Sequence, residues 1–411
     1  MFYYEYNKTQ LISFEKQNLP KSSESIALKA KNIFFLGRLN NIGKNQFIVQ
    51  SPKDLFKKED SLNDLKSNKN LYDEIPNWLY SKIENKLVTF INTNYNNFLD
   101  LINISNIKSW KINVVALGDV GRTLTIGLRL LGNKSISEIG IFDFDKSKIE
   151  RLIYEGNQVF SNFDDKTYPE IREINSENIF DCDMFVFCAS KAIPPVDVID
   201  QDVRMVQFEQ NSKIIEIYAK SAREKSFNGI FAVVSDPVDL LCKVALTTSN
   251  TNKNGHYDNL GLRPEQIHGY GLGVMNARAN FYAQRKFQLS NYSSEGRAFG
   301  PHGKGLIIAN SISNYDENLS LKLTDLTQNA NIEIRKIGFK PYIAPALSSG
   351  ALSIINTINN NWHYSTVYFD GVYIGTKNRI LENGLDWETY DFPINLFKRL
   401  ESTHNYLGGI V

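Results

Sequence analysis

From Lys111 onward, apolar runs of strand length alternate with segments of helical period, the order expected of a parallel sheet covered by helices. The pattern predicts strands at 112–117, 139–142, 184–189 and 230–235, with a helix over 122–131 following the first. Beyond about 255 it loosens into Gly-rich loops, a helix around 277–286 and short β-like runs at 366–369 and 371–374, which predicts a mixed α+β domain. The first hundred residues differ in texture. Runs at 33–36 and 47–49 read as strands, while Trp78, Leu79, Ile83, Leu87, Phe90 and Ile91 recur at helical spacing. The outline is an α/β chain in three parts: an N-terminal α/β extension over 1–109, a nucleotide-binding parallel sheet over 110–254, and an α+β domain over 255–411. No activity is assigned to the extension, which groups no His, Cys or carboxylates at site-like spacing.

Ala116-Leu117-Gly118-Asp119-Val120-Gly121 falls where the first strand gives way to a helix, so unpaired backbone N–H groups there can face a diphosphate. Gly118 lets the backbone approach and Gly121 lets the helix pack, while Ala116 stands where the usual fingerprint has its first glycine. The second strand ends at Asp143, whose carboxylate can accept both hydroxyls of an adenosine ribose and repels a 2′-phosphate. A Rossmann-type domain is therefore expected, with NAD favoured over NADP and Gly118, Asp119, Val120, Gly121 and Asp143 as cofactor-binding residues. A nucleotide-free sheet with a capping Asp is the bland alternative.

Four further polar residues, Arg204, Asp236, Arg278 and His302, follow in an order and setting that resemble the lactate/malate dehydrogenase family. Residues 181–190 look like the strand entering that family's mobile loop, with Ala189 on the cofactor side, and 204–211 like the loop arginine and its helix. Val234-Ser235-Asp236-Pro237-Val238-Asp239 is similar to the family's Ser-Asn-Pro-Val-Asp element, and Gly300-Pro301-His302-Gly303 to the segment around its histidine. The resemblance covers about 111–411 and not the first hundred residues. It implies that Arg278 grips a substrate carboxylate through paired hydrogen bonds, that Arg204 polarises the reacting carbonyl from a closing loop, and that His302 carries the proton. It also implies NAD as cofactor, a small 2-hydroxy or 2-oxo acid as substrate, and a homo-oligomer, dimer or tetramer. His256, His268, His363 and His404 have no comparable setting and read as surface or structural residues.

Two departures change the picture. Met275 stands where the family's Asp-x-x-Arg has the carboxylate that orients the histidine, and Asp236 stands in place of the family's Asn. Asp236 is the candidate replacement acid and is counted with both the catalytic and the cofactor-binding residues. An ionised Asp236 favours oxidised cofactor by roughly 3 kcal/mol at ~5 Å and an effective dielectric of ~20. Its charge also welcomes a protonated amine, so a nitrogen-bearing substrate stays open. Within the loop 191–200, the place where the family has its specificity residue offers Val196, Val198 and Ile199, with Asp197 and Asp200 among them and no cation there, which disfavours malate and makes Val198 a substrate-binding candidate. The Asp236-Pro237 bond is a candidate cis peptide.

Composition narrows the partners. A net charge of +1 gives no field for nucleic acid or an anionic membrane, and a hydrophobic content of 42% suffices for one large or two moderate cores. Cys182, Cys188 and Cys242 have no metal-type spacing and read as buried thiols, so no metal site is expected. The segment 1–11 mixes aromatics with Glu5 and Lys8, so neither signal peptide nor membrane span is expected, and the cytoplasm is the expected compartment. Two other readings stay open: a cofactor-binding protein that has lost turnover and acts through its extension, and an NAD-using lyase or glycosidase on the same fold.

Overall fold

The computed structural model describes residues 1–40, 42–95, 97–102, 107–161, 167–191 and 203–410, with the side chains of 203–206 outside that description. The chain divides into two compact units: one of Met1–Asn106, Tyr368–Gly371 and Asn378–Phe392, the other of Ile107–Val367, Val372–Lys377 and Pro393–Val411. The sequence outline assigned 368–371 and 378–392 to the C-terminal domain; the structure groups both segments with the N-terminal unit.

The N-terminal unit is built on β1 (Phe2–Tyr6), β2 (Thr9–Ser13), β3 (Ile33–Gly37), β4 (Gln46–Ile48) and β5 (Val88–Asn92), with helices α1 (Glu24–Lys29) and α2 (Asn77–Glu84). Strands β2, β3 and β5 run parallel, β1 is antiparallel to β2 and β4 to β5, and Gly384–Trp387 adds a parallel strand beside β4. Tyr4, Leu11, Phe34, Leu36, Ile91 and Ile102 form a buried core cluster. The helical spacing read over 78–91 does not persist. Helix α2 ends at Glu84, Lys86 takes a φ of +60°, and the β-branched run from Val88 becomes a central strand that carries Phe90 and Ile91.

In the large unit, β6 (Trp110–Val115), β7 (Ile136–Phe142), β8 (Glu170–Glu173), β9 (Met184–Phe187), β10 (Ile230–Val233) and β11 (Ile267–Gly269) are all parallel, in the spatial order β8-β7-β6-β9-β10-β11. This is the doubly wound Rossmann order, which reverses between β6 and β9 and leaves a crevice at the carboxyl ends of those strands. Helices α3 (Asp119–Gly132), α4 (Lys146–Asn157), α5 (Val203–Glu224) and α6 (Val238–Ser249) provide the crossovers. The remainder contributes α7 (Leu272–Phe287), the antiparallel pair β12 (Arg297–Phe299) and β13 (Ile307–Ala309), and the larger parts of the strands β14 (His363–Phe369) and β15 (Val372–Leu381), whose residues 368–369 and 378–381 are grouped with the N-terminal unit. Strand β14 runs antiparallel to β11 through Gly269 and Thr366. Leu272, Met275, Ala279, Ala298, Leu306, Ile308 and Leu323 pack as one buried cluster under α7. No helix among the described residues is long and apolar enough to cross a membrane.

Candidate active site

The strand β6 ends in a turn whose first residue, Ala116, has a φ of +69°. That left-handed conformation strains any residue with a Cβ by about 1–2 kcal/mol, so the absent glycine of the fingerprint is replaced at an energetic cost. Helix α3 then starts at Asp119 with Gly118 as its N-cap. A Cβ at Gly121 would stand 2.1 Å from the Ala116 carbonyl oxygen, so only glycine permits this approach of helix to strand. Gly118 is exposed and a Cβ there meets nothing within 4 Å, which leaves the helix start open to an anion. Beside the turn, Asp143 accepts the Leu117 N–H at 2.7 Å through Oδ2 and the Asp145 N–H at 2.9 Å through Oδ1, fixing its carboxylate after β7. The charge of Asp119, next to half-buried Val120, is offset by Arg122 at 2.6 Å and Lys340 at 3.6 Å. The open turn and the fixed carboxylate fit a dinucleotide.

Strand β10 delivers Asp236 from its carboxyl end, and the Asp236-Pro237 peptide is cis. The loop between β12 and β13 delivers His302, anchored by the Gly300 N–H to the Gly375 carbonyl at 3.0 Å. His302 Nδ1 lies 2.7 Å from Asp236 Oδ1, with the histidine side chain 8% exposed and the aspartate 34%. An ionised carboxylate only accepts hydrogen bonds, so Nδ1 carries the proton and Nε2 is left as a base. Among the described residues Nε2 is buried with no hydrogen-bond partner. The ring is therefore oriented by a carboxylate on one side and keeps its proton-accepting nitrogen unfilled on the other.

Helix α7 starts next to this histidine: a Cβ at its N-cap Gly271 would stand 2.9 Å from the His302 Cβ. Gly271, Met275 and Arg278 lie on one face of the helix by their spacing, and Arg278 is half-buried with Nη1 3.7 Å from Met275 Sδ. Ser349 accepts from the Val274 N–H at 2.8 Å and donates to the Gly271 carbonyl at 2.8 Å. Its segment, Pro345–Ala351, also packs on α3, where a Cβ at Gly127 would stand 2.6 Å from Ala351 Cβ. One segment thus ties the helix of the dinucleotide turn to the helix start beside His302.

Asn211 is fully buried, accepts from the Lys191 N–H at 2.8 Å and donates to the Asp236 carbonyl at 2.7 Å, while Ser235 Oγ donates to the Ala189 carbonyl. These bonds lock the ends of β9 and β10 together under Asp236. Arg204 lies in the first turn of α5, with its side chain outside the described residues, and Val198 falls wholly outside them. His268 and His363 are buried, and burial pulls them down to about 3 and about 4, so both are neutral structural groups at pH 7. Burial pushes the Cys182 and Cys188 thiols up to about 12.

Sequence reasoning brought Asp236 and His302 forward and passed over Asn211, Asp239, Ser349 and Lys340. Asp239 and Asn211 stood inside segments already singled out, but neither motif says that a side chain turns inward. Ser349 carries no local signal at all.

Residues 110–257 match the model of the lactate/malate dehydrogenase NAD-binding domain. An L-lactate dehydrogenase of Staphylococcus saprophyticus is 24% identical over 312 residues, spanning 70% of this chain and 91% of that one. One from Borrelia hermsii is 24% identical over 317 residues, with 70% and 92% covered. Among solved structures, the minor L-lactate dehydrogenase of Enterococcus mundtii aligns with a TM-score of 0.60 at 18% identity, over 74% of this chain and 97% of that one. A lactate dehydrogenase from a Medee basin deep-sea metagenome aligns with a TM-score of 0.59 at 19% identity, with 73% and 97% covered.

Proposed function

We propose that the chain is an NAD-dependent enzyme of the lactate/malate dehydrogenase type, and that it interconverts a small 2-hydroxy acid other than malate and the matching 2-oxo acid. The observation that carries the reading is the buried His302 ring, held by Asp236 at Nδ1 with Nε2 unpartnered. In the oxidative direction His302 Nε2 takes the substrate hydroxyl proton while the carbonyl forms, and Asp236 stabilises the resulting imidazolium. Bound NAD supplies the hydride acceptor for oxidation and the hydride donor for reduction. Arg278 holds the substrate carboxylate, and its planar fork fixes the reacting carbon as a lysine could not. Arg204 brings positive charge to the reacting oxygen and helps exclude water. Asp236 carries the charge that the family's helix carboxylate would have carried from position 275, where this chain has a fully buried methionine.

Val196, Val198 and Ile199 are read as the wall of the specificity pocket, which argues for an apolar side chain on the substrate. A dimer or tetramer is what the family resemblance implies, and light scattering on the purified chain measures it. A second reading, cofactor binding without turnover, is favoured only by Met275. The test is an NAD titration followed by a panel of 2-hydroxy acids, read by NADH absorbance. Turnover on an apolar acid and none on malate is expected. Tight binding with no turnover across the panel would leave the second reading, and no binding would end both.

A further inference from the structure

Three residues after Asp236, in the first turn of α6, Asp239 turns a second carboxylate inward. Its Oδ2 accepts the His302 backbone N–H at 3.2 Å and its Oδ1 accepts the Thr366 hydroxyl from β14 at 2.7 Å. Only 4% of the residue is exposed. The tetrapeptide Asp236-Pro237-Val238-Asp239 thus grips His302 twice, one carboxylate on the ring and the other on the main chain. No step of the proposed reaction uses Asp239, and a neutral side chain could accept the same hydrogen bonds without the cost of burying a carboxyl this deeply. Burial pushes it up to about 7, against the pull of the Thr366 and His302 donors and with the Asp236 charge adding to the rise. The groups that face it are Asp236 from the preceding turn, His302 from its loop, Thr366 from β14 and Cys242 one turn along α6. Burial and the Asp239 charge push the Cys242 thiol well up, so it stays neutral.

We propose that Asp239 is a positioning residue for His302: it fixes the main chain of the histidine loop, and its charge, when present, holds the proton on the His302–Asp236 pair. This rests on the reading of His302 as the proton carrier. The Asp239 carboxylate sits on the main chain of His302, 3.2 Å from its backbone nitrogen, and a negative charge in the neighbourhood of an imidazole favours the imidazolium. Above the Asp239 titration the charge is present and the proton is held more firmly. Below it the carboxyl is neutral and that support is gone, while the backbone bond persists because a protonated carboxyl still has an accepting oxygen.

The test follows the imidazole resonance of His302 by NMR across pH in the full chain without substrate, with the signal assigned by its loss in His302→Gln. In Asp239→Asn the His302 midpoint is expected to fall by about half a pH unit. Thr366→Val removes a donor that favours the ionised form, so Asp239 stays neutral to higher pH and the His302 midpoint moves in the same direction by less. Should Asp239→Asn fail to fold, Thr366→Val decides alone. Lowered melting temperatures with an unmoved midpoint would reduce Asp239 to a structural residue and overturn the proposal. The measurement needs no turnover, so a wild-type chain inactive on every hydroxy acid would sink the proposed reaction and leave this result to stand or fall by itself.

Discussion

In the N-terminal unit, Lys44, Lys57, Asp60 and Asp64 are buried together; in the large unit, buried His302 and Asp239 cluster with the partly exposed Asp236. The first cluster is closed. Lys44 Nζ donates to Asp60 Oδ1 at 2.6 Å and to the Tyr368 carbonyl at 2.9 Å, and lies 4.2 Å from the centre of the Phe369 ring. Lys57 bonds Asp60 at 3.2 Å and also Asp64. Burial lowers Lys44 in spite of Asp60; burial alone would raise Asp60, but the two ammoniums outweigh it and hold that carboxyl at about 2. The second cluster is open. Its imidazole has one nitrogen satisfied and one not, and Asp236 keeps about a third of its side chain exposed. Burying charge therefore does not mark a working site, since a saturated cluster does nothing but hold its surroundings together. An unfilled acceptor beside a half-open carboxylate is the feature that can receive a substrate proton.

Two substitutions break the comparison most sharply. His302→Gln is expected to lower kcat by about 10²–10⁴-fold, the usual contribution of positioned acid–base catalysis, with little change in denaturation midpoint. Lys44→Met is expected to destabilise the fold by about 3–5 kcal/mol, because it leaves Asp60 buried with one cation fewer. Urea denaturation measures the second effect, and replacing Asp60 with leucine in the same chain should recover much of the loss. If Lys44→Met were silent in stability, the closed cluster would not be the structural device described.

A smaller effect is expected at the acid itself. Asp236→Asn keeps the shape and removes the charge on Nδ1, so kcat/KM should fall by about 10–100-fold, within the range of a lost acid–base partner. Adding Met275→Asp to that variant returns a carboxylate to the family's position on α7. Partial recovery in the double variant, greater than the product of the single effects predicts, would show that the charge has moved between two places serving one ring. Strict additivity would mean that position 275 no longer reaches His302.

What the sequence made legible was whatever repeats locally. Strands β6, β7, β9 and β10 lie where the apolar runs put them, within a residue or three at each end, because a parallel strand buried on both faces reads as a continuous apolar stretch. The reading over 78–91 failed because Leu87, Phe90 and Ile91 fit helical and extended periods alike, and the turn at Lys86 decides between them. That 378–392 joins the N-terminal unit has no local signature, since partner strands far apart in sequence leave no trace in either. At the site, Asp236 and His302 stood out by motif, whereas Asp239 and Ser349 act through inward hydrogen bonds to backbone atoms 63 and 75–78 residues away.

The smallest expected effect sharpens the comparison from the cofactor side. Ala116 holds a φ of +69° in the dinucleotide turn, and glycine adopts that conformation without a Cβ clash. Relief of roughly 1–2 kcal/mol of strain is partly offset by the greater freedom of an unfolded glycine, so Ala116→Gly is expected to stabilise by about 0.5–1 kcal/mol. The neighbouring Gly121→Ala provides the opposite sign, since its methyl would stand 2.1 Å from the Ala116 carbonyl and must push helix α3 off the strand. Thermal denaturation of both variants, each with and without NAD, distinguishes the two. Ala116→Gly should raise the melting point and keep the NAD-dependent increment, whereas Gly121→Ala should lower the first and shrink the second. A destabilised Ala116→Gly would mean that the turn carries no such strain, and that the alanine, like the closed cluster around Lys44, contributes to holding its surroundings.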